Sequence, residues 1–222
     1  MATLLIRLSA PMQAWGTKSH FSHRDTEREP SKSGVIGLLC AALGIPRTET
    51  GKIQALATLR MGVRSDKPGS IRRDFHTAGR DGYYRVSGGV ETKNLITSER
   101  YYLSDAKFLV GLEGDPSMLE TIHNALKNPK WFLFLGRKAF VPSERVWLPD
   151  GLQSASLDVL LEEYPRLENA IRDKLWAVID APDGELIRND HPISFKPRRF
   201  IPRKVTRIQV NPPASPQQSK EV

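Results

Sequence analysis

The chain has 222 residues, with 33 lysines and arginines against 25 aspartates and glutamates, for a formal charge of +8 and a pI near 9.7. That balance suits a polyanionic partner. Its single cysteine, Cys40, excludes an internal disulfide or a thiolate metal site. The start M-A-T-L-L-I-R-L lacks the pattern of a secretory signal, and no apolar run is long enough to cross a membrane, so the expected setting is the cytoplasm.

Thr3 to Ala10 reads as a first, central strand, with Leu4, Ile6 and Leu8 on one face and Leu5 on the other. Pro11 is expected to end it, leaving Met12 to Gly16 as a loop that displays the Trp15 indole. The polar segment Thr17 to Glu29 carries Lys18, His20, His23, Arg24 and Arg28, with Phe21 interleaved. It reads equally as part of a basic surface or as a solvated loop. Pro30 to Pro46 predicts a short buried helix. Ser31 or Ser33 caps its start, and Gly44 closes it in the left-handed conformation ahead of Pro46. Gly34, Gly37, Ala41 and Gly44 form a small-residue stripe that would let the helix lie close to a sheet. Its first turn, with Ser31, Lys32 and Ser33, offers free N–H groups, the positive end of the helix dipole and a cation, which is an anion site of the kind phosphates use. Simple capping is the alternative. It is not a Walker A loop, because Ser31 rather than glycine precedes Lys32.

Leu56 to Ser65 alternates as a second strand. Ile71 to Arg100 is poor in aliphatics and rich in flat rings and guanidiniums: Arg72, Arg73, Phe75, His76, Arg80, Tyr83, Tyr84, Arg85 and Arg100. Such a stretch cannot fill a core, but it has what single-stranded nucleic acid needs, arginines for phosphates and rings for bases. Tyr101 to Leu112 predicts a third strand. Asp115 and Pro116 start a helix with Leu119, Ile122 and Leu126 on its buried stripe. Trp131 to Leu135 reads as a fourth strand, followed at once by Gly136, Arg137 and Lys138. A glycine beside two cations allows close approach to a phosphate; a plain basic turn is the alternative.

The order strand, helix, strand, insertion, strand, helix, strand predicts an α+β protein of the ferredoxin-like βαββαβ type over residues 1–148, with a long insertion at about 66–100 between strands 2 and 3. A small β-containing C-terminal region follows over 149–210. It is locally acidic between Asp150 and Asp173, with only Arg166 and Arg172 in opposition, and A-P-D-G at 181–184 signals a hairpin. Six cations and no acid lie between Lys196 and Arg207, Arg198 and Arg199 among them. Residues 211–222 are expected to be a disordered tail. Neither metal-ligand spacing nor a nucleophilic serine elbow is present, so no cofactor is expected. Metal-free RNA cleavage needs only a base, an acid and a cation, which His76, Tyr83, Tyr84 and Lys138 could supply if gathered. A protein-interaction scaffold with incidental basicity is a third reading.

Four ordered stretches together carry a resemblance: L-L-I-R-L-S-A-P-M-Q-A-W-G at 4–16, the helix P-S-K-S-G-V-I-G-L-L-C-A-A-L-G, Y-Y-L-S-D-A-K-F-L-V-G-L at 101–112, and F-L-G-R-K-A-F-V-P-S from Phe134. They resemble the fifth-family Cas subunits, RAMP-superfamily members of type I-E CRISPR Cascade complexes. The resemblance covers roughly positions 1 to 207. It implies a RAMP-type, RRM-like ferredoxin domain, a protruding thumb at the insertion, and Gly136-Arg137-Lys138 within a glycine-rich loop. It also implies a subunit that grips the 5′ handle of CRISPR RNA, caps one end of the Cascade backbone, and neighbours the CasC subunits and the large subunit CasA. Target DNA is met only through the complex. Members of type I-C systems resemble metal-independent endoribonucleases using an adjacent Lys-His pair, which this chain lacks; cutting in type I-E systems belongs to a separate subunit. A non-catalytic RNA-binding role is therefore implied, with Trp15, Tyr83 and Tyr84 stacking on bases. Ser31, Lys32, Ser33, Arg24, Arg72, Arg73, His76, Arg80, Arg100, Gly136, Arg137, Lys138, Arg198 and Arg199 are the remaining contact candidates.

Overall fold

The computed structural model describes residues 1–19, 22–79, 81–85, 87–168 and 174–215. Expectations that fell on His20, Phe21, Arg80, Arg172 and the tail from 216 onward lie outside the described residues. The elements are β1 (Ala2–Gln13), β2 (His23–Arg24), α1 (Lys32–Leu43), α2 (Thr50–Ala57), β3 (Arg60–Lys67), β4 (Ser70–Ala78), β5 (Tyr83–Tyr84), β6 (Val90–Glu91) and β7 (Ile96–Gly114). Then come α3 (Pro116–Lys127), β8 (Trp147–Gln153), α4 (Leu157–Glu163), β9 (Leu175–Asp180), β10 (Leu186–Phe195) and β11 (Arg198–Val210). This is a mixed α/β fold dominated by one largely antiparallel sheet of order β10-β11-β9-β3-β7-β1-β8, to which β2 and β4 add by pairing with β7.

The alternation of β1 decides its two faces. Leu4, Ile6 and Leu8 join Val35, Ile36 and Leu39 of α1 and Leu119, Ile122 and Leu126 of α3 in one core, while Leu5 joins Leu157, Leu160 and Leu161 of α4 in a second. Each such side chain contributes about 1.5–3 kcal/mol by leaving water. Helix α1 has the predicted termini: the Ser31 side chain accepts the Gly34 N–H, and Gly44 at φ 71° turns its own N–H back onto the Ala41 carbonyl. The small-residue stripe serves the loop after β1 as well as the sheet, where it meets the end of β10. A Cβ on Gly34 would stand 2.8 Å from the Trp15 ring, and one on Gly37 would approach Phe195.

Four elements differ from expectation. First, β1 runs through Pro11 to Gln13. Its edge toward β8 pairs only as far as Ile6, so the N–H that proline lacks falls where no ladder bond is due. Second, Leu56 and Ala57 end a helix, α2, and β3 begins only at Arg60; the helix has no side-chain cap to announce it. Third, Trp131 to Leu135 is not a strand, and β8 takes the place beside β1. The backbone there is already engaged, with Lys130 and Trp131 donating to the Ala42 and Ala41 carbonyls at 2.9 and 3.1 Å. Fourth, A-P-D-G does make a turn, Gly184 donating to the Ala181 carbonyl at 3.0 Å, but β11 inserts between β9 and β10, so the strands it joins do not pair.

Residues 70–78 and 96–104 are not loop. β4 pairs with the first half of β7 from Ser70 opposite Ser104 to Ala78 opposite Ile96, forming an arm that leaves the sheet. β7 is thus one strand of 19 residues, buried from Phe108 to Leu112 and largely uncovered toward its start. Among the described residues, Asp105 is the sole non-glycine with positive φ, at 57°. It falls where the alternation of β7 changes phase: Leu103 shares a core with Ala106, Phe108, Val110 and Leu112 although it is odd-numbered and an unbroken strand would face it the other way.

Candidate nucleic-acid interface

Two basic clusters could hold an anion, and they differ in whether the protein already supplies one. At the start of α1 the Lys32 N–H donates to Asp190 Oδ2 at 2.7 Å, so a carboxylate occupies the position a phosphate would take. Lys32 Nζ lies 2.8 Å from Asp180, and Arg203 reaches Asp190 through Nε at 2.6 Å while also pairing with Asp180. Lys32 and Asp190 are 4 % and 2 % exposed. Burial lowers the Lys32 ammonium below its ordinary value despite Asp180. Ser31 is buried as the cap and Ser33 is partly covered. Lys32 and Ser31 therefore leave the list of exposed phosphate contacts: Ser31 caps the helix, and the polar atoms of Lys32 are spent tying β10 and β9 to it.

The second cluster stands at the base of the arm. β2 lies parallel to β7 with Arg24 opposite Arg100, and β4 sets Asp74 opposite Arg100 and Arg72 opposite Tyr102. Directly opposed residues share a face of a sheet, so Arg24, Arg72, Asp74, His76, Arg100 and Tyr102 point to one side. Arg137 joins them from the loop after α3, donating through Nη2 to the Tyr101 carbonyl at 2.8 Å and stacking 5.2 Å above Phe140. The Phe140 ring in turn lies 5.9 Å from Tyr102. Burial, then the neighbouring Arg100 and Arg24, push the Arg137 guanidinium below its ordinary value; Asp74 and Asp25 only partly offset this. Positive charge here outweighs the nearby Asp74 and Asp25 carboxylates. The pull of an anion on such a group is stronger than at a fully solvated surface.

The opposite face of the arm carries Arg73, Phe75, Tyr101 and His23. Arg73 pairs with Glu99 at 3.1 Å, and the His23 and Tyr101 rings are 5.2 Å apart. Arg73 is thus separated from Arg72 by the pleat. Lys138 is exposed beside Arg137. Gly136 has φ 96°, and a Cβ on it would stand 1.8 Å from the Ala14 carbonyl oxygen, so this glycine is required by the close passage of the chain rather than by a ligand. Tyr83 and Tyr84 form a separate small ribbon with Glu91 and Val90 near the tip. Arg198 and Arg199 are exposed at the start of β11, beside its turn with β10. Register puts that turn off the Arg60 end of the sheet and the arm off the Lys67 end, so the two are not brought together.

Trp15 requires the plainest correction. It is 2 % exposed, its indole N–H donates to Gln13 Oε1 at 3.1 Å, and it packs on Gly34. An indole so enclosed cannot stack on a base. Conversely, Tyr101, Tyr102 and Phe140 belong to the arm base although they are not contact candidates on sequence, and His23 joins them from the polar segment. The signal was available in the period of two, since Tyr102 keeps step with Arg100. Among the described residues, no group of histidine, cysteine and acid side chains could hold a metal, and no helix is long and apolar enough to cross a membrane.

An antiparallel sheet that extends a paired, arginine-bearing arm past its own edge is the class of protein that this fold and site define. Residues 3–208 match the model of a family described as CRISPR-associated protein (Cas_Cas5). The chain belongs to that family. It is 35% identical over 211 residues to the CRISPR system Cascade subunit CasD of Escherichia coli (strain K12), covering 90% of this chain and 93% of the relative. A solved structure titled as the crystal structure of a Cas protein matches with a TM-score of 0.79 and 44% identity, over 96% of this chain and 99% of that one. A chain from a CRISPR RNA-guided surveillance complex matches with a TM-score of 0.79 and 31% identity, over 97% and 95%.

Proposed function

We propose that this chain is a CRISPR RNA-binding subunit of a type I-E Cascade surveillance complex, and that the arm base grips the 5′ handle of the RNA. The observation that carries the reading is the convergence of Arg24, Arg72, Arg100 and Arg137 on one face, beside the Tyr102 and Phe140 rings. Guanidiniums there would hold phosphates and fix the path of the strand, while a ring could receive a displaced base. Lys138, His76, Arg73, Arg198, Arg199, Tyr83 and Tyr84 would extend the contact as secondary positions. In this reading β8-β1-β7-β3, with α1 and α3, is the ferredoxin-like RAMP core, the β4–β7 arm is its thumb, and residues after 148 form a C-terminal addition. The partners would be the backbone CasC subunits and the large subunit CasA, with target DNA reached through the complex.

The role is binding rather than cleavage. His76, Tyr83, Tyr84 and Lys138 are spread from the tip of the arm to its base, and Lys138 neighbours a residue level with Tyr101, three pairs or roughly 10 Å from His76 along the strand. One observation favours the second reading, a metal-independent repeat endoribonuclease: the His76 imidazole contacts the Asp74 carboxylate, which would orient it as a base. Mixing the purified chain with end-labelled repeat RNA and chelator, followed by denaturing and native gels, tests both. Intact RNA with a native shift is the expected result. A discrete cleavage product would establish the nuclease instead.

A further inference from the structure

The short run Trp131 to Leu133, which supplies no strand, instead walls a groove of about 580 Å³ between the end of α3 and residues 142–146. Leu126, Leu133 and Val146 line it from the core side. Trp131 is 45 % exposed and Phe132 95 % exposed. Two adjacent aromatic side chains left in water cost the folded protein a burial it could otherwise have had. They are also held in place. Lys130 and Trp131 donate backbone bonds to the end of α1, and the Lys130 stem lies across Gly44. Phe132 therefore projects from fixed backbone, an arrangement that removes much of the ordering cost of binding.

Charge selects the occupant. Lys127, Lys130 and Arg145 stand around the groove, and its carboxylate, Glu144, is committed to Arg7 at 2.7 Å and Lys107 at 3.6 Å. The rim is positive and the floor is aliphatic. A nucleic acid could use the cations and rings but would leave Leu126, Leu133 and Val146 without apolar partners. Aromatic anchors that a partner can bury over an aliphatic floor, ringed by charge, are the anatomy of a protein interface. We infer that this groove receives an apolar segment flanked by aspartates or glutamates from another protein chain of the assembly, separately from the RNA-facing arm base. The existence of an assembly rests on the function proposed above; the surface itself does not.

The test uses the complex reconstituted from all its subunits with its RNA. A photo-crosslinking benzoylphenylalanine replaces Phe132, and the adduct is mapped by mass spectrometry. The expected adduct is a peptide with acidic residues beside apolar ones. In parallel, Phe132→Asp should weaken incorporation of this chain at least tenfold, and Lys130→Glu with Arg145→Glu should do so by a comparable factor, with unchanged thermal midpoints because these side chains lie at the surface. RNA binding by the isolated variants should stay within twofold of the parent. An adduct on RNA, or normal incorporation of Phe132→Asp with no adduct, would overturn the inference. If the parent chain binds no RNA at all, the proposed function fails while the crosslink still reports on the groove.

Discussion

The start of α1 and the base of the arm are both rich in cations, yet only the second is open to an outside anion. Lys32 and Arg203 face Asp180 and Asp190 within hydrogen-bonding reach, whereas Arg24, Arg100 and Arg137 face one another, with Asp25 and Asp74 too few to neutralise them. Clusters of cations thus do opposite work. One fastens a hairpin to a helix; the other stores an unmet demand for negative charge. Counting cations cannot distinguish them, and locating their counter-ions can.

The largest expected break in this contrast is at Asp190. Asp190→Ala leaves Nε and Nη2 of Arg203 and the first N–H of α1 without their buried acceptor and should cost about 3–5 kcal/mol in urea unfolding, with RNA affinity of the folded protein unchanged. A gain in RNA affinity would mean that the carboxylate was keeping a phosphate out. At the arm, Arg100→Glu with Arg137→Glu should weaken handle RNA binding by roughly 10–100-fold and flatten the dependence of log K on log salt by about 0.7 per lost phosphate contact. Filter binding across a salt series reads both, and an unaltered slope would remove these arginines from the site. Acid sharpens the comparison from the other side. Burial alone would raise the Asp180 carboxyl, but Arg203 and then Lys32 outweigh it and hold it below its ordinary value. A carboxyl held low adds stability above its unfolded-state value and loses it as pH falls through the lowered one. Stability should therefore decline below about pH 4, and Asp180→Asn should make that decline shallower in a pH series of melts. Smallest is Ser31→Ala, which removes the α1 cap and should cost about 1 kcal/mol without touching RNA binding.

The sequence makes α1, both caps of that helix, the two faces of β1 and the helix at Asp115 legible, because each rests on local chemistry within a few residues. It conceals α2, which has no side-chain cap, and the arm, whose strands carry charges and rings on both faces and so show no apolar period. Arg100 and Arg137 could be picked out as cations, but their meeting depends on a pairing between residues far apart in the chain. Trp15 misleads for a similar reason. An aromatic beside a polar segment looks displayed until Gly34 is seen to leave room for it.

Asp105 governs which way the arm presents its charge. With φ at 57° it interrupts the alternation of β7 between the buried half and the arm, and β4 copies whatever phase it sets. The arm can therefore lengthen or shorten only in even steps between Asp105 and Arg100 if Arg100 is to keep its side. A single-residue insertion there would hand the RNA the Tyr101 and Glu99 side, whereas one near the Gly88–Gly89 tip would leave the arm base unchanged. Parity at this one joint decides which face of the arm carries Arg100 in this chain, independent of any residue's charge.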